Sequence, residues 1–152
     1  MRHTFSSLTK PLAVTAFVGA MSIAGLCNAQ VQSTSPSLYE QLGGKPAITK
    51  VVHDMIVNIA ADNRINHFFA KTNIPHLQME LVNQVCEGTG GPCKYTGLNM
   101  QQAHKGMNLN AADFNALVED LQKSMDSNNV PLGLQNQLLA ILAPMQPDVV
   151  HQ

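Results

Sequence analysis

Apolar residues in this chain recur at intervals of three and four, and no stretch alternates with a period of two for any length. The three-and-four interval places apolar side chains on one face of an α-helix, whereas half-buried strands need the two-residue interval. The sequence therefore predicts an all-α fold with four substantial helices and three or four short ones. The four long apolar stripes cover residues 48–59, 74–85, 114–125 and 134–145.

Polar residues and glycines indicate where these helices begin and end. Ser37 and Glu40 have the spacing of a capping box, and Asn110 and Asp113 have the same spacing. Four glycines and a proline exclude regular structure from residues 88–97, and a very short helix ending near His104 follows. An ordinary four-helix bundle does not need such an irregular connection. We therefore expect something other than protein between the helix pair before this segment and the helix pair after it.

Large aromatic rings are scarce in this chain. It has five Phe, two Tyr and no Trp in 152 residues. Its core must therefore be filled by aliphatic side chains, by methionine, or by a group that is not protein. The net charge of −1 provides no basic patch, so we expect no nucleic-acid partner.

The N-terminal segment, residues 1–29, has the features of a secretory signal peptide. A basic stretch precedes an uncharged apolar run over residues 11–26, and a small residue offers a cleavage site. The run is too short and too rich in small residues for a membrane span. A retained anchor and a lipoprotein attached through Cys27 are the alternatives. We expect a signal peptide at 1–29, a flexible leader at 30–36 and one domain at 37–152, in a periplasmic or secreted protein that keeps no membrane segment.

Two further cysteines, Cys86 and Cys93, lie at the start of the glycine-rich stretch. In an oxidising compartment they can form a disulfide that closes a helix end onto the loop preceding His104. A structural staple is the favoured interpretation. A redox switch acting on His104 through this loop is the alternative, and a metal site built from these cysteines lacks a second pair.

His104 lies near the end of its short helix, with Met100 one turn earlier on the same face. A flat apolar ligand could lie against Met100 and Phe114 with the imidazole reaching its centre. Haem iron suits that arrangement. On the residues alone, the alternative is a partly exposed histidine near a helix C-terminus, where the cationic form is favoured.

From residue 38 to about residue 149 the chain resembles a group I truncated haemoglobin. The resemblance implies a two-over-two helical sandwich that encloses haem b. No CxxCH motif is present, so covalent attachment of the c type is not indicated. The matching segments are LYEQLGG at 38–44, DNRINHFF at 62–69, KTNI at 71–74, GGPCKYTG at 90–97, MQQAH at 100–104, DFNALVEDL at 113–121 and, more loosely, VPLG at 130–133 and LAPMQPDVV at 142–150.

The resemblance also implies roles for single residues. His104 matches the proximal iron ligand, and Phe69 matches the ring that packs flat against the haem. The other haem contacts expected from it are Phe68, Ile74, Leu77, Leu81, Met100, Leu109, Phe114, Leu138 and Leu142.

The distal side departs from the family pattern. Members commonly have a tyrosine and a glutamine that hold bound O₂, and the matching positions here are Ile56, Leu77 and Leu81. Without a donor, bound O₂ loses a hydrogen bond worth about 1 to 3 kcal/mol and should leave faster. The distal pocket is expected to be apolar and to consist of Met55, Ile56, Leu77, Leu81 and Val85.

Three functions are compatible with this sequence. The first is a haem globin that reversibly binds O₂, CO or NO. The second is a haem enzyme that turns over NO or peroxide with an external reductant, such as an electron-donor protein. The third is a haem-free helical interaction module in which His104 is incidental.

Several polar residues have less specific expectations. The candidates for an internal sixth iron ligand are two histidines, expected in solvent, and two methionines, expected to be packed. Lys94 or Tyr95 could reach a haem propionate. Glu119, Asp120 and Lys123 are expected to form a solvated helix face. The four sixth-ligand candidates are His53, Met55, His76 and Met79.

Overall fold

The computed structural model describes residues 35–152. The predicted signal peptide and most of the predicted leader lie outside these residues. Within them the chain is helical and contains no strand, as predicted. The elements are α1 (Leu38–Gln41), α2 (Gly44–Ala61), a 3₁₀ helix (Asn66–Phe69), α3 (Ile74–Gly88), α4 (Met100–His104), α5 (Ala111–Ser127), α6 (Leu132–Leu142) and a second 3₁₀ helix (Ala143–Asp148).

The predicted capping boxes are present at the starts of α1 and α5. The Glu40 N–H donates to Ser37 Oγ over 3.2 Å, and the Ser37 N–H donates to Glu40 Oε2 over 2.8 Å. Asn110 and Asp113 make the same reciprocal pair at α5. Each box satisfies N–H groups that have no partner inside the helix, so these helices begin where the sequence predicts.

Helix α2 is the centre of the fold, because it packs against both α3 and α5, while α5 also contacts α6. Fully burying a Val, Leu, Ile or Met side chain stabilises a fold by about 1.5 to 3 kcal/mol. This burial fixes the orientation of α3 and α5 relative to α2. The buried core residues of α2, α3 and α5 are Ile48, Val51, Val52, Met55, Ile59, Val82, Val85, Cys86, Ala116, Leu121 and Met125.

The expectation that Ile74 faces inward is wrong, since 37% of its surface is exposed. Ile74 is the first residue of α3, and the buried residues of this helix are Val82, Val85 and Cys86 in its C-terminal half. The apolar stripe therefore begins about two turns before the buried part of α3.

The expectation of a solvated face is also wrong for Asp120, whose exposed fraction is 1%. Its Oδ1 accepts from Lys123 Nζ over 2.9 Å, and its carbonyl oxygen accepts from the side chain of Asn58 over 3.1 Å. Ala116, one turn earlier, and Leu121, the next residue, are buried, so Asp120 lies at the covered edge of the apolar stripe. Glu119 is half exposed and pairs with Arg64.

The predicted disulfide between Cys86 and Cys93 is present. It joins the last turn of α3 to the loop that leads to α4. The Glu87 carboxylate accepts from Lys94 Nζ and from the Tyr95 N–H, over 3.1 and 3.0 Å, and ties the same loop to α3. Among the described helices, none has the length and apolar character needed to cross a bilayer.

Candidate functional site

A cavity of about 230 Å³ lies beside α3, α4 and α5. Two rings from the first 3₁₀ helix, Phe68 and Phe69, contribute to its wall. The α3 side chains in the wall include Leu77 and Leu81, and His104 of α4 also lines the cavity. The wall contains these further predicted contacts: Met100, Leu109 and Phe114.

A second cavity, of about 180 Å³, shares Leu81, His104 and Phe114 with the first. Met55 and Val85, two of the predicted distal residues, line it together with the predicted haem contact Leu142. Together the two cavities approach the size of pockets that hold organic cofactors, and they are lined mainly by apolar and aromatic side chains.

His104 is partly buried, and the N-cap Asn99 fixes the start of its helix by accepting from the Gln102 N–H over 2.8 Å. The Nδ1 atom of His104 lies 2.7 Å from the carbonyl oxygen of Met100. A carbonyl oxygen can only accept, so in the neutral ring Nδ1 carries the hydrogen and Nε2 keeps its lone pair. In histidines that bind metals, the second ring nitrogen donates a hydrogen bond in this way.

Three predicted pocket residues lie elsewhere. Ile74 is exposed at the start of α3, and Leu138 is buried among the core residues that surround a small separate cavity. Ile56 packs partly buried against the core cluster and lines neither cavity beside His104. The pattern identified these residues as apolar helix positions but could not tell which side of the core they face.

The candidates for an internal sixth ligand are mostly outside the site. His53 and His76 are exposed, and Met79, expected to be packed, is 51% exposed. Met55 is the one candidate of the four that lines a cavity shared with His104.

Two polar residues of α3, Glu80 and Gln84, line the first cavity and were missed by sequence reasoning. Their positions follow Leu77 at intervals of three and seven, so helical spacing did contain the signal. The Oε2 atom of Glu80 is buried without a hydrogen-bond partner among the described residues. The Gln84 amide donates to two thioether sulfurs, which are weak acceptors, at 3.4 Å for Met145 and 3.8 Å for Met100.

Tyr95 lines the same cavity and was one of two residues expected to reach a haem propionate. Its hydroxyl donates to the Leu98 carbonyl over 2.6 Å. Burial raises the pKa of this hydroxyl above its usual value, and the nearby Glu80 carboxylate raises it further. The other candidate, Lys94, is largely exposed and pairs with Glu87.

The residues around these cavities fit a haem. An imidazole with a free Nε2 lone pair is available to iron, and Phe69 and Phe114 provide flat apolar contacts for a macrocycle. Within residues 35–152, no three His, Cys, Asp or Glu side chains gather into a set that could hold a metal ion.

A family model described as bacterial-like globin matches residues 37–151. The chain belongs to the bacterial-like globin family. Among curated relatives, the group 1 truncated hemoglobin of Tetrahymena thermophila is 35% identical over 104 residues, which are 68% of this chain and 83% of the relative. That of Tetrahymena pyriformis is 32% identical over 114 residues, 75% of this chain and 94% of the relative.

Solved truncated globins share this fold. The Fe(III) form of the truncated hemoglobin from Tetrahymena pyriformis superposes with a TM-score of 0.75 at 31% identity, covering 77% of this chain and all of that one. The 2/2 hemoglobin from Synechococcus sp., in a cyanomet state with covalently attached heme, gives 0.71 at 28% identity, with 77% of this chain and 100% of that one covered. This globin therefore has the predicted two-over-two helical arrangement, and its family is haem-based.

Proposed function

We propose that this globin binds haem b through His104 and reversibly binds diatomic gases at the opposite face of the iron. The observation that carries the proposal is the hydrogen bond between His104 Nδ1 and the Met100 carbonyl, because it leaves Nε2 free beside an apolar cavity. When bound, the haem supplies an iron atom that takes up O₂, CO or NO. His104 would hold the iron, and the apolar side chains of the wall would keep water away from it.

The proposed distal wall is made by Leu77 and Leu81 from α3, with Met55 and Val85 contributing where the two cavities adjoin. None of these four side chains carries a hydrogen-bond donor, and the Gln84 amide, which lines both cavities, donates to the sulfurs of Met145 and Met100 instead. Bound O₂ is partly negative and gains from a donor, whereas CO gains less. This pocket therefore favours CO over O₂ when compared with truncated globins that carry polar distal residues.

Gas binding is tested on purified ferrous protein by absorbance spectra with O₂ and with CO, followed by stopped-flow measurement of O₂ dissociation. We expect both spectra to change reversibly and O₂ to dissociate rapidly. A slow O₂ off-rate would contradict the apolar distal wall, because it would require a donor beside the ligand. An unchanged spectrum with both gases would contradict gas binding itself.

Glu80 favours a second candidate function, the turnover of peroxide with an external reductant. A carboxylate that lines the haem cavity and has a free oxygen is a group that can accept and return a proton. Peroxide consumption is measured with a supplied electron donor, in the wild type and in Glu80→Gln. A loss of about tenfold or more in the variant would support this role, and equal rates would exclude it.

The proposed location is the periplasm or the cell exterior, in keeping with the signal-peptide pattern at residues 1–29 and with the Cys86–Cys93 disulfide. Fractionation of cells that express the full chain tests it. Accumulation of uncleaved protein in the cytoplasm would contradict this location.

A further inference from the structure

The helix that carries His104 is too short to fix its own orientation. α4 has five residues, Met100–His104, and isolated helices of that length do not form in water. Contacts with the rest of the chain must therefore decide where the imidazole points. After α4 these contacts come from residues 148–152, which we call the tail clamp.

The tail clamp makes one side-chain bond to α4 itself. Gln101 Nε2 donates to Asp148 Oδ1 over 2.7 Å, and the two residues are 47 positions apart in the chain. This is a direct link between the proximal helix and the end of the second 3₁₀ helix.

The tail clamp makes three main-chain bonds to the loop that follows α4. The N–H groups of Gly106 and Asn108 both donate to the main-chain oxygen of Gln152, over 3.1 and 3.3 Å. The His151 N–H donates to the Leu109 carbonyl oxygen over 2.8 Å. The bonds therefore run in both directions: the loop donates two of them and the tail clamp donates one.

The loop needs such support because its backbone is left-handed at two positions and strained at the second, which is not a glycine. Gly106 has a φ of +80° and Asn108 a φ of +50°, in the left-handed region that costs free energy for residues other than glycine. Val149 anchors the clamp, since it is 6% exposed and lines both cavities beside His104.

We propose that the tail clamp positions His104, with Asp148 as a positioning residue that acts through Gln101. This inference rests on the proposed role of His104 as the iron ligand. With the clamp released, α4 frays, and the direction in which His104 Nε2 faces the cavity is no longer fixed. The clamp then sets the strength of the iron–imidazole bond without touching the iron.

The first test is hydrogen exchange at the Ala103 amide, which donates to the Asn99 carbonyl oxygen, and at the Met107 amide, which donates to the His104 carbonyl oxygen. In Asp148→Ala and Gln101→Ala we expect both amides to exchange about fivefold faster, the effect of one lost hydrogen bond. Gln102→Ala is the matched control, because it shortens the neighbouring exposed glutamine of the same helix. Asp148→Asn keeps the accepting oxygen and should restore slow exchange.

The second test is the iron–imidazole stretching frequency of the ferrous haem protein, read by resonance Raman spectroscopy. We expect a shift in Asp148→Ala, none in Asp148→Asn, and no further shift when Gln101→Ala is added, because the two residues form one interaction. Exchange and frequency in Asp148→Ala that match those of Gln102→Ala would overturn the tail clamp. Failure of the proposed function is a separate result, since the wild type would then lack a haem spectrum whatever the exchange shows.

Discussion

The Nδ1 atom of His104 and the carbonyl oxygen of Met100, one turn earlier on α4, are 2.7 Å apart. This bond fixes the ring relative to its own helix, but α4 must then be fixed relative to the cavity. The Cys86–Cys93 disulfide secures the loop before α4, and the tail clamp holds the loop after it. A five-residue helix is thereby oriented from both ends.

The Cys86–Cys93 disulfide should stabilise the fold mainly by restricting the unfolded chain. The two cysteines are separated by seven positions, and closing a loop of this size contributes about 2.5 kcal/mol. We expect the Cys86→Ser, Cys93→Ser double variant to lose about that much free energy of unfolding in urea. Reducing the wild type should reproduce the loss, and the reductant should leave the double variant unchanged. Equal urea midpoints with and without reductant would contradict this role.

Leu81 lines both cavities beside His104, so a donor placed there should reach the gas ligand. We expect Leu81→Gln to slow O₂ dissociation by about tenfold or more, because the new amide can donate to bound O₂. Leu81→Met conserves volume and adds no donor, so it should leave the rate close to that of the wild type. Stopped-flow O₂ release measures both. A rate unaffected by Leu81→Gln would place the gas ligand away from Leu81.

Gly91 and Gly133 should respond oppositely to alanine. A Cβ on Gly91 would lie 2.7 Å from the Cys86 carbonyl oxygen and 2.5 Å from a Tyr39 ring carbon, whereas one on Gly133 meets nothing within 4 Å. We expect Gly91→Ala to destabilise the fold by about 1 to 3 kcal/mol through overpacking. Gly133→Ala should stabilise it by about 0.5 kcal/mol, because alanine restricts the unfolded chain. Thermal unfolding of both variants checks the signs.

Glu80 should influence the titration of Tyr95, whose pKa is raised by burial first and by this carboxylate second. Glu80→Gln removes the negative charge, so the pKa of Tyr95 should fall part of the way towards its usual value. A raised folded-state pKa means that this tyrosine favours the fold below the unfolded value of 10.0 and loses that contribution as pH rises through the folded value.

Absorbance of ionised tyrosine against pH measures this shift. Tyr95→Phe identifies which of the two tyrosine titrations belongs to this residue. An identical Tyr95 titration in Glu80→Gln and in the wild type would show that the Glu80 carboxylate does not raise the pKa of Tyr95.

Helix starts were predictable from the sequence because their signals are local. The reciprocal bonds between Asn110 and Asp113 depend on four adjacent residues, and the structure has them as predicted. The disulfide was predictable for the same reason, since a short chain separation keeps the two cysteines close.

The covered side of each helix was harder to predict, because it depends on distant neighbours. Ile74 lies before the part of α3 that the core covers, and Asp120 is buried by a lysine on its own helix and by contacts from α2. Glu80 was missed because its charge suggested solvent, although its spacing from Leu77 and Leu81 placed it on the same stripe. The tail clamp includes a bond between Gln101 and Asp148, which are 47 positions apart, and no local sequence pattern predicts such a bond.

The central claim is that His104 holds the haem iron, and the absorbance spectrum of His104→Ala tests it most directly. His76→Ala is the matched control, because it removes an exposed histidine that does not line the cavity. We expect the wild type and the control to purify with haem and an intense Soret band, and His104→Ala to lose that band. A His104→Ala protein with the wild-type haem content and Soret band would contradict the claim.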